Sequence, residues 1–381
     1  MLRVGRKSQA ESGCPAAPFL RYREIIAGVY ISYPFCAQKC TYCNFASGVF
    51  SSDLRDRYIA TLAAQLREAL WPWTPETVYL GGGTPSQTDP RVFLDPIPGR
   101  PWLEATIEAA PGTIDAARAI AWRQAGINRV SLGVQSFVAR ELARTGRKHN
   151  AETVARDVAA LREAGIESIN VDLIAGLPAQ TRASWSESLD WLERLNVPHA
   201  SVYMLEVDDD SRLGREILAH GARYGAAEVP DDDAIAEFYE IAVERLDRAG
   251  LKRYEISNFA RVGFESRHNL KYWRREPYLG FGADAHSFDG EWRWRNAESA
   301  AEYVNRPGAI DRVAADATGE RFFLGLRLEE GIDGDWSPFA DAIRRFIGDG
   351  LLQFDGARLR LTDRGVLLSN EVFAEFVEVA A

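Results

Sequence analysis

The chain has 381 residues, 46% of them apolar, enough to bury the core of a large domain with a smaller one beside it. Its 55 acidic and 45 basic residues give a net charge of −10, which argues against a broad electrostatic grip on DNA or RNA, so no nucleic-acid partner is expected. No stretch approaches about 18 uninterrupted apolar residues, as a membrane-spanning helix requires, and four cysteines, three of them in one short motif, do not make a disulfide framework.

Residues 1–25 read as a flexible leader. They carry Arg3, Arg6 and Lys7 but no apolar core of a signal peptide. Cys14 within them reads as an incidental thiol, and the expected compartment is the reducing cytoplasm. The first predicted strand is 28–33. Cys36, Cys40 and Cys43 follow within eight residues. A strand would alternate them between faces and a helix would not bring all three together, so a loop wrapped around a thiolate-binding group is expected. Such sites select zinc, copper(I) or iron–sulfur clusters. A [4Fe–4S] cluster normally takes four cysteines and a structural zinc takes four ligands. Three thiolates on a cubane leave one iron open. A zinc completed by a distant His, or ordinary buried cysteines, are the alternatives.

Asp53 is expected to cap a helix over 54–70, with Tyr58, Leu62, Leu66 and Leu70 on one stripe. Strand 77–80 ends in Gly81-Gly82-Gly83-Thr84-Pro85, where consecutive glycines favour close backbone approach to a ligand. Pro90, Pro96, Pro98 and Pro101 predict a short or broken helix after it. Strand 105–108, a helix over about 114–125, strand 129–134 and a helical region closing near Gly165 come next. Strand 168–174, helix 184–195 and strand 201–205 complete six strand–helix units. This alternation implies a parallel sheet with crossover helices, either doubly wound or an incomplete barrel. Ligands gather at the C-terminal strand ends of both. The cysteine loop, the glycines, Glu108, Gln135 and Asp172 stand at or near five such ends and are expected to share a pocket. Gln135 and Asp172 are polar groups in apolar strand patterns and require partners.

Beyond Val207, the acidic runs 208–210 and 231–233 are expected to bound a mobile segment. A helix over 231–250 follows, with Phe238, Ile241, Ala242 and Leu246 on its buried side and Gly250 as its stop. A strand over 253–259 and the aromatic segment 268–273 come after it. From about 311, helices lead to a hairpin at 351–361 and a helix over 362–377. This reads as a small winged-helix-like unit that packs rather than reads DNA. The expected domains are 26–210, 211–310 and 311–381.

Together these residues resemble a known family. Cys36-x3-Cys40-x2-Cys43, with Tyr42 before the last cysteine, is similar to the radical S-adenosylmethionine (SAM) signature. The triple-Gly-Thr-Pro run, Glu108-Ala-Ala-Pro111-Gly-Thr, Gly133-Val-Gln135-Ser-Phe137 and Asp172-Leu-Ile-Ala-Gly-Leu-Pro178 resemble the oxygen-independent coproporphyrinogen III oxidase-like group. His268-Asn269-x-x-Tyr272-Trp273 is similar to the HemW-like haem chaperones within it. The resemblance runs from about Val29 to the C-terminus.

It implies an α/β fold: an incomplete (β/α)6 radical-SAM-type barrel with a smaller C-terminal α+β, winged-helix-like domain. It also implies a [4Fe–4S] cluster on Cys36, Cys40 and Cys43 whose open iron is chelated by SAM, with one electron cleaving SAM to methionine and a 5′-deoxyadenosyl radical. By the same pattern Gly82, Gly83 and Thr84 hold the methionyl end, Glu108, Gln135, Arg147 and Asp172 contact polar groups of SAM, and Tyr42 lies by the adenine. His268 would be an axial haem ligand walled by Tyr272 and Trp273; His286 is a weaker candidate, and His149, His199 and His220 give no independent signal.

The implied function is a haem chaperone that delivers haem to a haem-accepting protein, draws on an electron donor and associates with a membrane surface. Oxidases of the group carry a further cysteine where this chain has Phe45, which argues against coproporphyrinogen III oxidation. That oxidation, another radical tetrapyrrole modification, and a noncatalytic cluster-containing interaction protein are the alternative functions. Two departures from the family pattern are Ala110, in place of an asparagine, and the short Pro-rich segment between Gly83 and Glu108.

Overall fold

The computed structural model describes residues 27–44 and 46–377. The expectations for the leader, Cys14 and Phe45 lie outside the described residues. β1 (Ala27–Tyr33) has six of seven residues buried, as a parallel strand covered on both faces requires. β2 (Pro75–Gly82), β3 (Glu104–Ala109), β4 (Arg129–Gln135), β5 (Ser168–Ala175) and β6 (His199–Met204) follow, each parallel to the strand before it. Their spatial order is their chain order, with no reversal. A doubly wound sheet reverses at a switch point; these six strands instead form the incomplete barrel.

The connecting helices are α1 (Ser52–Glu68), α2 (Arg91–Leu94), α3 (Ala116–Gln124), α4 (Ala139–Thr145), α5 (Ala151–Glu163) and α6 (Arg182–Leu195). α1 seals its section of the core with Tyr58, Leu62 and Leu66, each 0% exposed. Its cap is Ser51, whose hydroxyl accepts from Leu54 N–H at 3.2 Å. Asp53 is the second residue of the helix, in its first turn, where its charge faces the positive helix end. Leu70 falls beyond the helix and is 91% exposed, because Ala69 is already extended. Between β2 and β3 the prolines leave only a 3-10 turn, Pro85–Gln87, and the four-residue α2.

After β6 come α7 (Arg212–Leu218), a 3-10 turn at Arg223–Glu228, and α8 (Asp232–Arg248), capped by Asp231. The expected single strand over 253–259 is a tight antiparallel pair, β7 (Lys252–Glu255) and β8 (Asn258–Ala260), with β8 lying against β6. α9 (Arg267–Trp273) then leads to β9 (Tyr278–Phe281), which runs parallel to β1 on the barrel's other edge. β10 (His286–Phe288), β11 (Trp292–Asn296) and β12 (Ala309–Ala314) extend that edge, with α10 (Ala300–Asn305) between the last two.

The smaller C-terminal α+β unit contains α11 (Ala317–Gly325), α12 (Ala340–Gly348), the antiparallel hairpin β13 (Leu352–Asp355) and β14 (Arg358–Leu361), α13 (Asp363–Leu367) and α14 (Ser369–Ala374). Its core is a ring cluster in which Phe322 lies 4.9 Å from both Phe339 and Phe376. The predicted terminal helix is broken in two at Leu368, where φ −110 and ψ 24 leave the helical region. Backbone bonds from Ile256 N to Arg327 O and from Glu329 N to Tyr254 O join this unit to the barrel. No helix among the described residues is long and apolar enough to cross a membrane.

Ser51→Ala is expected to lower stability by about 1 kcal/mol, against roughly 0.3 for Asp53→Ala, read by urea unfolding. Equal losses would contradict the cap at Ser51.

Candidate functional site

The C-terminal ends of all six barrel strands meet at a cleft of about 770 Å³. The cysteine loop forms one wall. A reciprocal pair of backbone bonds closes the loop, from Cys36 N to Gly48 O and from Gly48 N to Pro34 O, both 2.8 Å. Gln38 Nε2 donates to Gly146 O at 2.6 Å, tying the loop to the end of α4. Leu213 N–H donates to Thr41 O at 2.9 Å, tying it to α7.

The end of β2 lies directly beneath the loop. Gly83 N donates to Tyr33 O at 2.7 Å, and Thr84 N donates to Phe35 O at 2.9 Å. A Cβ on Gly83 would sit 2.7 Å from Phe35 O, and Gly82 has φ +109, so neither position admits a side chain. The glycines therefore have a packing reason as well as a place on the cleft, since Gly82, Gly83 and Thr84 all line it.

Cys36, Cys40 and Cys43 line the cleft, outside any disulfide and partly exposed. Burial pushes the Cys36 thiol up, opposed by the hydroxyls of Ser47 and Thr84. No three His, Cys, Asp or Glu side chains among the described residues are grouped as ligands of a metal ion. By donor chemistry, three soft thiolates on one loop facing a roomy cleft fit an iron–sulfur cluster with an open corner.

Across the cleft stand two carboxylates. Glu108 accepts from Tyr79 O–H at 2.9 Å and from Gly82 N–H at 3.0 Å. It faces the cleft, yet the surrounding protein leaves it little water; burial, with the Asp172 charge beside it, pushes it up to about 7. Asp172 accepts from Asn170 Nδ2 at 2.7 Å and from Ser131 Oγ at 3.1 Å. Its burial pushes it up, while those groups and Ser201 oppose the shift. Gln135 ends β4 at a bulge, with φ +70, an unusual backbone state for a residue with a side chain. Its Oε1 is buried without a partner. Arg147 donates to Gly133 O and, at 3.4 Å, to Tyr42 O–H, and its Nε has no partner. Tyr42, Glu108, Gln135, Arg147 and Asp172 thus line one wall system with the thiols.

Sequence reasoning missed three contributors. His149 lines the cleft with Nε2 buried and unpartnered; burial, then Arg147, push its imidazole down to about 4. Its position two residues past Arg147 was the available signal. Tyr79 shows in the sequence only as a strand residue, but its hydroxyl donates to Glu108. Asp157 accepts from Gly112 N–H at 2.6 Å and pins the loop after β3. It stands among Val154, Val158 and Leu161 on the buried face of α5, a charge in an apolar stripe. Ala110 itself is held through its backbone, N–H to Ser86 Oγ at 3.4 Å and O from Thr113 Oγ1 at 2.7 Å.

His268, Tyr272 and Trp273 are not part of this cleft. His268 is 0% exposed near the strands' N-terminal ends. Its Nδ1 bonds Thr77 Oγ1 at 2.8 Å and its Nε2 bonds Tyr272 O–H at 2.7 Å. Burial, then Lys271, push it down to about 3. As folded, neither ring nitrogen is free to meet iron, because both complete the packing of α9 on the barrel. Tyr272 packs on Tyr278 at 4.6 Å, and Trp273 lies under the Arg327 guanidinium at 4.4 Å, with its Nε1 buried and unpartnered. A second cleft of about 760 Å³ opens beside α9, lined in part by Leu270, Arg274 and Tyr254.

Comparison with known proteins places this geometry. The sequence profile described as Radical SAM superfamily matches residues 30–192, and that described as HemN C-terminal domain matches 314–368. The chain is 32% identical to Heme chaperone HemW of Bacillus subtilis (strain 168), over 91% of this chain and 98% of that one. It is 35% identical to Heme chaperone HemW of Mycobacterium tuberculosis (strain ATCC 25618 / H37Rv), over 91% and 93%. The solved structure of coproporphyrinogen III oxidase (HemN) from Escherichia coli, a radical SAM enzyme, superposes with a TM-score of 0.78 at 22% identity, over 93% of this chain and 91% of that one, which is a likeness of fold.

The raised Glu108 value sets a pH dependence. Its folded-state value lies above the ordinary 4.5, so the stability held by the protonated form is full below pH 4.5 and is lost as pH rises through about 7. Glu108→Gln should therefore show a shallower fall in urea-unfolding stability across that window. An unchanged slope would mean that Glu108 is ordinarily solvated.

Proposed function

The chain belongs to the HemW/HemN-like radical SAM family, and from that membership we propose that it is a haem chaperone: it binds haem, delivers it to recipient proteins and carries a [4Fe–4S] cluster that coordinates SAM. What carries the reading is one coincidence. A cleft with three thiols facing two carboxylates occurs in a chain that matches proteins named heme chaperone along nearly their whole length.

Cys36, Cys40 and Cys43 would hold the cluster, which supplies one-electron reduction of SAM when bound. Glu108, once ionised, suits the ammonium of SAM, and the unpartnered Gln135 Oε1 offers an acceptor beside it. Arg147 suits the carboxylate, while Gly82, Gly83 and Thr84 bring backbone close to the methionyl end. Asp172, held by Asn170 and Ser131, would meet polar groups of the nucleoside, and Tyr42 would offer a ring to the adenine. Haem is assigned to the segment carrying His268, Tyr272 and Trp273. The partners are a haem-accepting protein and an electron donor, in the cytoplasm and at a membrane surface.

Anaerobic reconstitution with iron and sulfide tests the cluster. The wild type is expected to gain a cubane whose paramagnetic resonance changes on adding SAM, and Cys43→Ala to lose it. Material that holds only zinc, or a cubane blind to SAM, would overturn the assignment. Haem passed unchanged to an apo-acceptor supports the chaperone, whereas decarboxylation of added coproporphyrinogen III would replace it with the oxidase. His268→Ala should shift the haem absorption spectrum and weaken binding. An unchanged spectrum and affinity would remove His268 as the ligand.

A further inference from the structure

The end of α9 is held by the C-terminal unit, and three consecutive residues carry the contact. Trp273 lies under the Arg327 guanidinium at 4.4 Å, Arg274 pairs with Glu330 at 3.2 Å, and Arg275 Nε donates to Glu320 at 2.8 Å. Glu320, on α11, is the centre of this grip. Its side chain is only 7% exposed, and it also accepts from Arg293 Nη2 of β11 at 2.8 Å. Burial would raise its carboxyl, but the two guanidiniums outweigh burial and hold it below its usual range, so it stays ionised between them. Arg275 reaches it from a left-handed backbone, φ +54, a state that residues with a side chain disfavour.

The grip leads on to His268. Arg293 Nη1 donates to the Tyr278 hydroxyl at 3.2 Å, the Tyr278 ring packs on Tyr272, and the Tyr272 hydroxyl meets His268 Nε2. The two ends of α9 are held differently. Its start is fixed to the barrel, where the Glu104 carboxylate accepts from the N–H groups of Arg267 and His268, both at 2.9 Å. Its end meets the C-terminal unit through side chains in each of the three contacts above. The backbone bonds of that unit go instead to Tyr254 and Ile256, at β7 and just after it. The contacts on α9 can therefore part while the unit stays joined to the sheet.

We propose that the C-terminal unit is a latch on α9, with Glu320 as its catch. When that grip releases, the helix pivots on Glu104, Tyr272 withdraws from His268, and Nε2 is bared as a ligand while Nδ1 keeps its bond to Thr77. The proposal rests on the haem reading above, in which His268 is the iron ligand. An imidazole whose other nitrogen is held by a hydrogen bond is already oriented for a metal. Lifting one end of one helix is then sufficient, and no barrel strand has to separate from its neighbour.

The test combines native-state proteolysis with haemin binding on the full chain. Lys271 sits within α9 with its side chain 4% exposed, so trypsin cuts after it only when the helix lifts. Glu320→Gln keeps the shape of the side chain and removes its charge. Cleavage after Lys271 should then quicken by about tenfold or more, and haemin association, followed by its absorption band, should quicken with it. Glu330→Gln breaks only the exposed pair with Arg274 and should quicken both by roughly twofold. Cleavage after Arg57, within α1, should match the wild type in both variants. Lys271 cleavage left unchanged by Glu320→Gln would overturn the latch. Equal acceleration at Arg57 would do the same, since the whole fold would then have loosened. Faster cleavage at Lys271 with unchanged haemin association would uphold the latch and overturn the assignment of haem to His268.

Discussion

Two backbone hydrogen bonds hold the barrel mouth together, those from Gly83 N–H to Tyr33 O and from Thr84 N–H to Phe35 O. They lay the cysteine loop flat on the end of β2, with no side chain between the two chains. The chain entering the loop is therefore set by main-chain contacts, while the Gln38 side chain ties the loop itself to the end of α4. The same contact turns Gly82 N–H toward Glu108, so the loop and the carboxylate opposite it are registered to one another through a single short segment.

A chain of polar groups runs through the barrel interior beneath that mouth. Asp172 leans on Asn170, whose Oδ1 meets His199 Nδ1 at 2.6 Å; His199 Nε2 meets Tyr254 O–H at 2.9 Å, and that oxygen accepts from Ser266 N–H at 3.1 Å. The path links the cleft to the residue that caps α9. Burial, then the charge of Arg129, keeps His199 well below its usual range, so its imidazole stays neutral and can donate on one side while accepting on the other. An apolar filling would do more for stability, but it would leave Asp172 without the partners that aim it.

Much of this was legible in the sequence because hydrophobic runs and glycine stops are local. The six barrel strands and the placement of chemistry at their ends follow from strand–helix alternation, and the three cysteines from their spacing. What stayed hidden depends on contacts distant in sequence. Nothing local distinguishes Ser51 from Asp53 as a cap, since both can accept from the first turn. The reversal between β7 and β8 has no strong turn residue, and it is fixed by pairing with β6 and by Arg327. Leu368 breaks the terminal helix although it is a good helix former, so tertiary packing overrode propensity there. Asp157 and His149 were readable only as a charge in an apolar stripe and as a neighbour of Arg147. Their roles appear once α5 and the end of α4 are folded against the loops they serve.

The closed state of His268 has a kinetic consequence. An imidazole that already joins Thr77 to Tyr272 can reach a metal only after α9 peels from the strands beneath it, a sub-global opening of the native state. Under the proposed haem binding at His268, loading would be gated by how often this corner of the fold breathes. Amide protons of 266–273 would exchange with solvent at the same tempo, and a cargo that enters by that route is released only as fast as the corner reopens.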